Sequence, residues 1–411
     1  MKRIERTFAG RPLVLETGRM AKQAHGACLV MYGETSVLCT AVGQDKPTHL
    51  PFFPLTVEYR ERSYAAGKIP GGFFKREGRP GEQEVLSARL IDRPIRPMFP
   101  EGFMHEVQIM CHVLSADQEN DADVLALLGA SAALSMSKIP FDTPVAAVRI
   151  GRIQGQWVLN PTFQQLEYSD VEIVVAGTEE AILMVEGGAV EVPEDEIVEG
   201  LLAAHEGIKE LIGIQNELLE GIRQEQMSWT PIDAPAELTD RVLELSAARI
   251  ADAMGIKDKA ERNAALATLR TEVQESLAEE FPEQDKLISE AIARKEKEAM
   301  RRRILDEGTR ADGRQLDEIR PITAEAPVLP RTHGSALFTR GQTQALAIVT
   351  LGTSADEQRI DSIDVAQETT KSFMMHYNFP PFSTGEVKPI RGTSRRDVPR
   401  TGFTSPVENG G

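Results

Sequence analysis

HGACLVMYGETSVLCTAV, residues 25–42, returns as HGSALFTRGQTQALAIVT, residues 333–350. The offset is a constant 308 residues, so His25 answers His333, Gly26 answers Gly334, Gly33 answers Gly341 and Thr35 answers Thr343. In each copy, short β-rich runs flank a two-residue turn containing Gly: Gly33-Glu34 in the first, Gly341-Gln342 in the second. That pattern predicts a hairpin, twice. A repeat of so long a period implies two copies of one domain.

Working outward, FFPLTVEYRE reads as a further strand of the first copy, and SFMMHYNF takes the matching place in the second, with Tyr59 aligned to Tyr377. A Gly-rich loop follows, then a helix from about Glu82. Leu86 and Leu90 share one of its faces and Arg89 and Arg93 another. Pro94 is expected to end it, with Arg96 in the exit turn. DADVLALLGASAALSMSK, rich in small residues, reads as a helix buried against a sheet. Strands return in VAAVRIGRI, QWVLNPT and DVEIVVAGTEEAILMVEGG. Strands followed by helices on one side point to an α+β fold rather than a doubly wound sheet. From about residue 193 to 307 the chain turns Ala/Glu/Leu/Lys-rich and helical, linking the repeats.

A chain of 411 residues, 41% hydrophobic and 27% charged, is long enough for several domains with proper cores. No apolar run is long enough to span a bilayer and no signal peptide is evident, so no membrane partner is expected. Cys28, Cys39 and Cys111 are widely spaced and form no CxxC pair, which fits buried thiols and a cytoplasmic location. The net charge of −17 argues against general nucleic-acid binding, but its distribution is uneven. Residues 167–220 hold 15 acidic residues against one basic, residues 60–96 hold nine basic against five acidic, and residues 388–400 hold five basic against one acidic. Local patches, not net charge, decide polyanion binding. A solvated face is the bland alternative for each basic cluster. Arg301-Arg302-Arg303 suits a helix C-terminus as well as it suits RNA.

The loop FFKREGRP joins Phe73 and Phe74 to Lys75, Arg76 and Arg79. Cations neutralise phosphates and aromatic faces stack on bases. Equally, the two rings could be tucked into the core. In the second copy, at offset 320, Lys75-Arg76 matches Arg395-Arg396. His333, at a hairpin entry, and His376 read as structural.

FFKREGRP, RLIDRPIRP (residues 89–97), the doubled hairpin, DSIDVAQETTKSFMMHYNFPPF and FSTGEVKPIRGTSRR (residues 382–396) together resemble the bacterial polyribonucleotide nucleotidyltransferases, the polynucleotide phosphorylases. The resemblance covers residues 1–396. It implies two ribonuclease PH-like cores joined by an all-α domain, with expected bounds of 1–210, 211–308 and 309–396, and an unrelated polar tail at 397–411. Further RNA-binding modules follow in that family. The resemblance also implies a homotrimer that threads single-stranded RNA and degrades it from the 3′ end by phosphorolysis, releasing nucleoside diphosphates in mRNA turnover. Inorganic phosphate and Mg²⁺ are the expected co-reactant and cofactor, and RNA-degradation complex proteins the expected partners. Carried over residue by residue, RNA contact falls to Phe73, Phe74, Lys75, Arg76 and Arg79, to Arg93 and Arg96, and to Arg395 and Arg396. Lys75 stands where Arg is commoner, keeping the charge but losing the planar fork.

In that family the second core carries a Ser-rich phosphate cradle and a DxDxK strand. The first copy here has DQENDADV and DVEIVVAGT at those places, with Glu119, Asp121 and Asp123 in the loop, Glu172 for the second Asp and Val174 for the Lys. It is therefore expected to be a degenerate core. The second copy runs from GTSRR into DVPRTGFTSPVENGG, so its metal and phosphate sites are expected to be missing and the isolated chain inactive. The alternative is a non-catalytic RNA-binding or assembly subunit left by truncation; a third reading is an acidic scaffold indifferent to RNA. The apolar run ALAIVTLG is expected to lie uncovered.

Overall fold

The computed structural model describes residues 1–48, 50, 52–71, 73–230, 235–282, 284–360, 363, 369–387 and 389. The chain is α+β and divides into two units. One comprises Met1–Thr230 with the described residues from Ser354 onward; the other is Pro231–Thr353.

In the first unit, β1 (Lys2–Phe8), β2 (Arg11–Thr17), β3 (Gly26–Tyr32), β4 (Thr35–Pro47), β5 (Leu55–Glu61) and β6 (His105–Ser115) form one sheet in the order β1-β2-β3-β4-β6-β5. All neighbours are antiparallel except β5 and β6. The β3–β4 hairpin sits at its centre, with Tyr32 opposite Thr35. Gly33 takes the turn at φ 60°, a left-handed conformation that glycine adopts without steric cost. Cys28, Cys39 and Cys111 stand in register on β3, β4 and β6, fully buried and unpaired. Burial pushes the Cys28 thiol up to about 12, so it stays protonated and packs as a small apolar group.

Helix α1 (Glu82–Ile95) packs on β5. Pro94 does not end it, as the sequence suggested: the helix continues to Ile95, and a 3-10 turn, Arg96–Met98, follows. In the last turn the missing proline N–H removes one bond only, and the Arg96 N–H still reaches the Asp92 carbonyl. Every residue of α2 (Asp123–Met136) is buried. It lies against β3 and β4 on one side and touches β7 (Ala146–Ile153) on another, which explains a helix apolar all round. Its small residues allow the approach. A Cβ at Gly129 would lie 2.6 Å from Cys39 Sγ and 2.9 Å from Val30 Cγ2.

A second sheet, in the order β10-β9-β7-β8, adds β8 (Gln156–Leu159), β9 (Ser169–Gly177) and β10 (Ile182–Ala189), with the one-turn helix α3 (Phe163–Leu166) between β8 and β9. Helix α4 (Glu194–Leu219) crosses β7, β8 and β9, with Gly200 over the Trp157 ring. Lys2 ties β1 to its end by donating to the Glu217 and Glu220 carbonyls at 2.7 and 2.8 Å. Helix α4 therefore belongs to the first unit.

In the second unit, α5 (Ala236–Met254), α6 (Lys259–Leu277) and α7 (Asp285–Glu307) bury Val242, Ile250, Leu269, Leu277, Ile288 and Ile292 between them. Asp258 caps α6, accepting from the Ala260 and Glu261 N–H groups at 2.8 and 2.9 Å. Then β11 (Ile322–Glu325), β12 (Gly334–Arg340) and β13 (Thr343–Val349) form a three-stranded antiparallel sheet. Gly341 repeats Gly33, again at φ 60°. A further element repeats: His25 Nδ1 accepts from the Gly43 N–H at 3.0 Å, and His333 Nδ1 accepts from the Leu351 N–H at 2.8 Å. Both bonds span 18 residues and close the open end of their hairpin.

A short pair, β14 (Gln358–Ile360) and β15 (Thr369–Lys371), belongs to the first unit. The strand expected at SFMMHYNF is not one: residues 373–380 are irregular, with Phe373 61% exposed. An extended segment becomes a strand only against a partner edge. Tyr59 has β6 beside it, whereas residues 373–380 pair with no strand among the described residues. None of the described helices is long and apolar enough to cross a membrane.

Candidate functional site

The loop between β5 and α1 is fastened at its base and open at its tip. Glu77 accepts from Arg62 Nη1 and from the Ser63 N–H, both at 2.7 Å. Against a burial penalty, those bonds hold its carboxyl below the usual range. At the head of α1, Glu84 accepts from the Gly81 and Glu61 N–H groups at 2.6 and 3.0 Å. The tip carries Phe73 and Phe74, 93% and 82% exposed, edge to face with ring centres 5.4 Å apart. The structure thus decides between exposed rings and rings tucked into the core. Lys75, at φ 49°, Arg76 and Arg79 are exposed, with no hydrogen bond or ion pair among the described residues. Two aromatic faces and three unengaged cations on one tip can stack on bases and neutralise phosphates.

Two further candidates lie at the end of α1 and in the turn after it. Arg93, partly exposed, is ion-paired with Glu186 of β10. Arg96 is committed internally. It donates from Nη2 to Asp92 Oδ1 at 2.6 Å and to the Leu55 carbonyl at 3.0 Å, and from Nη1 to the Phe53 carbonyl at 3.2 Å. The i, i+4 pairing of Asp92 with Arg96 was visible in the sequence. Arg395 and Arg396 lie outside the described residues.

At the head of α2, side-chain carboxylates bond the backbone amides. Asp117 accepts from the Glu119 N–H at 2.9 Å and the Asn120 N–H at 2.8 Å. Asp121 takes the Asp123 N–H at 3.1 Å, and Asp123 takes the Val124 N–H at 2.6 Å. Amides that could cradle a phosphate at a helix head are thereby occupied by carboxylates. Two of those carboxylates, Asp121 and Asp123, converge with Glu172 on Arg149. Its Nη2 meets Asp121 at 2.6 Å and Asp123 at 2.7 Å, and its Nη1 meets Glu172 at 2.5 Å. Burial pushes the Asp123 carboxyl up to about 7, Arg149 opposing and Asp121 adding to the rise. Burial opposes the Arg149 charge, but attraction to Asp123, Asp121 and Glu172 raises its pKa nonetheless. Asp170 turns away to Arg152, accepting from Nε at 2.9 Å, and Glu119 is exposed.

Arg149 is the residue that sequence reasoning missed. It pairs directly with Val174 across β7 and β9, so the two side chains share a face of the sheet. A cation therefore stands beside the place where the resemblance expected a Lys. The signal was a lone Arg inside the apolar run VAAVRI, where an unpaired charge cannot stay buried.

Residues 9–140 and 318–401 both match the 3′ exoribonuclease family, domain 1. The chain belongs to the 3′ exoribonuclease family. One family description thus fits both copies of the repeat. Residues 143–207 match domain 2 of the same family, and residues 237–315 match the RNA binding domain of polyribonucleotide nucleotidyltransferase. The polyribonucleotide nucleotidyltransferase of Gemmatimonas aurantiaca is 59% identical over 398 residues, which is 97% of this chain and 54% of that protein. The Thermus thermophilus protein of the same name is 50% identical over 407 residues, 96% of this chain and 56% of the relative. That of Oceanobacillus iheyensis is 48% identical over 393 residues, 95% and 56% respectively. The chain therefore spans about half the length of these relatives of the 3′ exoribonuclease family.

Proposed function

We propose that the chain serves 3′-to-5′ phosphorolytic degradation of single-stranded RNA, in which inorganic phosphate takes up the 3′-terminal nucleotide and a nucleoside diphosphate leaves. The observation that carries this reading is the open tip at residues 73–79, joined to membership of a 3′ exoribonuclease family. Phe73 and Phe74 stack on bases, and Lys75, Arg76 and Arg79 neutralise the backbone. Arg93 extends the basic strip along α1, and Arg96 positions that strip through Asp92. Arg395 and Arg396 contact the RNA backbone beside the reacting phosphodiester.

Chemistry belongs to the second copy in this reading. When bound, Mg²⁺ would supply charge neutralisation for the phosphodiester under attack by inorganic phosphate. The first copy does not fit that ion or phosphate, because Arg149 already holds Asp121, Asp123 and Glu172 and the helix-head amides are taken. The setting we propose is a homotrimer in the cytoplasm, acting in mRNA turnover beside other proteins of an RNA-degradation complex.

Two measurements test the proposal. Replacing Phe73 and Phe74 by Ala should weaken binding of a labelled single-stranded RNA by roughly tenfold or more, since stacking contributes about 1–3 kcal/mol per base. Any 3′-terminal nucleotide released with Mg²⁺ and inorganic phosphate should be a diphosphate. Phosphate-independent release of monophosphates would overturn the phosphorolytic reading.

A further inference from the structure

We infer that Glu77 is a positioning residue for RNA: although its carboxylate repels phosphate, it strengthens RNA binding by joining the two limbs of the loop directly behind Phe73, Phe74, Lys75 and Arg76. This role rests on the RNA reading above and extends it to a residue that binds no RNA itself. A carboxylate among Lys75, Arg76 and Arg79 is unfavourable at a polyanion site, because like charges brought together oppose binding. Left free, Glu77 would weaken the contact that its neighbours make. It is not free. Its Oε1 accepts from the Ser63 N–H and its Oε2 from Arg62 Nη1, both at 2.7 Å.

The limb to which Glu77 is fastened is itself held. Ser63 opens the 3-10 turn Ser63–Ala66, in which Ala65 is buried and accepts from the Ala116 N–H at 3.0 Å, just past the end of β6. Glu84 repeats the arrangement nearer the base by taking the Glu61 and Gly81 N–H groups. Two amides of the limb leaving β5, those of Glu61 and Ser63, are thus each held by a glutamate of the limb entering α1. Glu84 lies ten residues beyond Phe74 and Glu77 only three, so Glu77 is the fastening that reaches the tip. An exposed ion pair adds little to the stability of a whole domain. What a fastening at this place restricts is the freedom of residues 73–76, and a contact ordered before binding loses less entropy when RNA arrives.

The whole chain is titrated with a fluorescent oligoadenylate at several salt concentrations. By charge alone, removing one carboxylate should tighten binding. Glu77→Ala should instead weaken it about fivefold, the order expected for releasing a few side chains. The slope of log affinity against log salt should stay, because every cation remains. Glu77→Gln keeps an oxygen for the Ser63 N–H without the charge, and should bind at least as tightly as the unmodified chain. In a Phe73→Ala/Phe74→Ala background, Glu77→Ala should weaken binding no further, because residues that act through one another are not additive. Binding by Glu77→Ala that is unchanged or tighter, or a loss that persists undiminished in the double Phe variant, overturns the positioning role and leaves the proposed function standing. So does a Glu77→Gln variant as weak as Glu77→Ala, since the Ser63 bond would then contribute nothing. The thermal transition followed by circular dichroism should not move, and a fall shared by both Glu77 variants would make Glu77 a residue of general stability and overturn the role. Absence of RNA binding by the unmodified chain overturns both readings.

Discussion

The β3–β4 and β12–β13 hairpins share a turn glycine at φ 60° and the same histidine bond, yet differ in what covers them. In the first, Val30, Val37 and Cys39 are fully buried beneath α2. In the second, every residue of β13 is exposed, with Leu346 at 50%, Ile348 at 53% and Val349 at 52%. Hairpin geometry is thus local, written in the turn and the clasp, whereas burial depends on a distant helix being supplied. The same contrast runs through the charges. At the tip of residues 73–79 the cations are unengaged, while at the head of α2 the one cation is shared among three carboxylates.

The largest test of this contrast is Arg149→Met. Removing the shared cation leaves the buried Asp123 without its partner beside Asp121 and Glu172, and denaturant unfolding should show a loss of about 3–5 kcal/mol. A loss under about 1 kcal/mol would mean that the cluster is solvated like a surface pair. Next comes Gly129→Val, which drives a side chain into Cys39 and Val30. It should cost about 1–3 kcal/mol, read as a lowered denaturation midpoint with unchanged slope.

The third test uses pH. Burial, then Lys138, lower the His25 pKa below its ordinary 6.5, with Asp45 opposing, and its Nδ1 must stay unprotonated to accept from Gly43. The unfolded chain then binds the proton more readily than the folded one. The His25 contribution to stability should therefore be flat above about pH 7 and fall as the pH drops below about 6.5, opposite in sign to that of Asp123, whose raised carboxyl favours the folded state as the pH falls. His112, lowered by burial and by Arg62 and Arg60, contributes with the same sign as His25. His25→Gln should remove part of the slope, and an unaltered slope would remove the clasp from the account. The smallest effect is expected from Leu346→Thr. On the open β13 face it should change unfolding free energy by no more than about 0.5 kcal/mol while reducing light scattering on concentration, because an exposed apolar face invites association. A large loss of stability would show that β13 is covered in solution.

Much of the fold was legible because its signals are local. The two hairpins, the buried α2 and the helical run all announce themselves through turn glycines, small apolar residues and periodicity. Pro94 misled because a proline in a last turn loses little, and SFMMHYNF misled because strand propensity cannot name a pairing edge. At the candidate site, the acidic loop was readable but its meaning was not. That Asp121, Asp123 and Glu172 meet at Arg149 follows from the pairing of β7 with β9, a long-range register that no local motif encodes. That Phe73 and Phe74 are exposed rather than tucked into the core was likewise not encoded in the local motif.

The two histidine bonds give the molecule a matched pair of spectroscopic beacons. Of seven imidazoles, His25 and His333 present Nδ1 as a pyridine-type nitrogen to a backbone amide at corresponding places in the repeat. With nitrogen-15 in the rings, their couplings to Gly43 and Leu351 would report each hairpin's integrity separately during a single denaturation, so that the covered and open copies could be timed against one another in one sample.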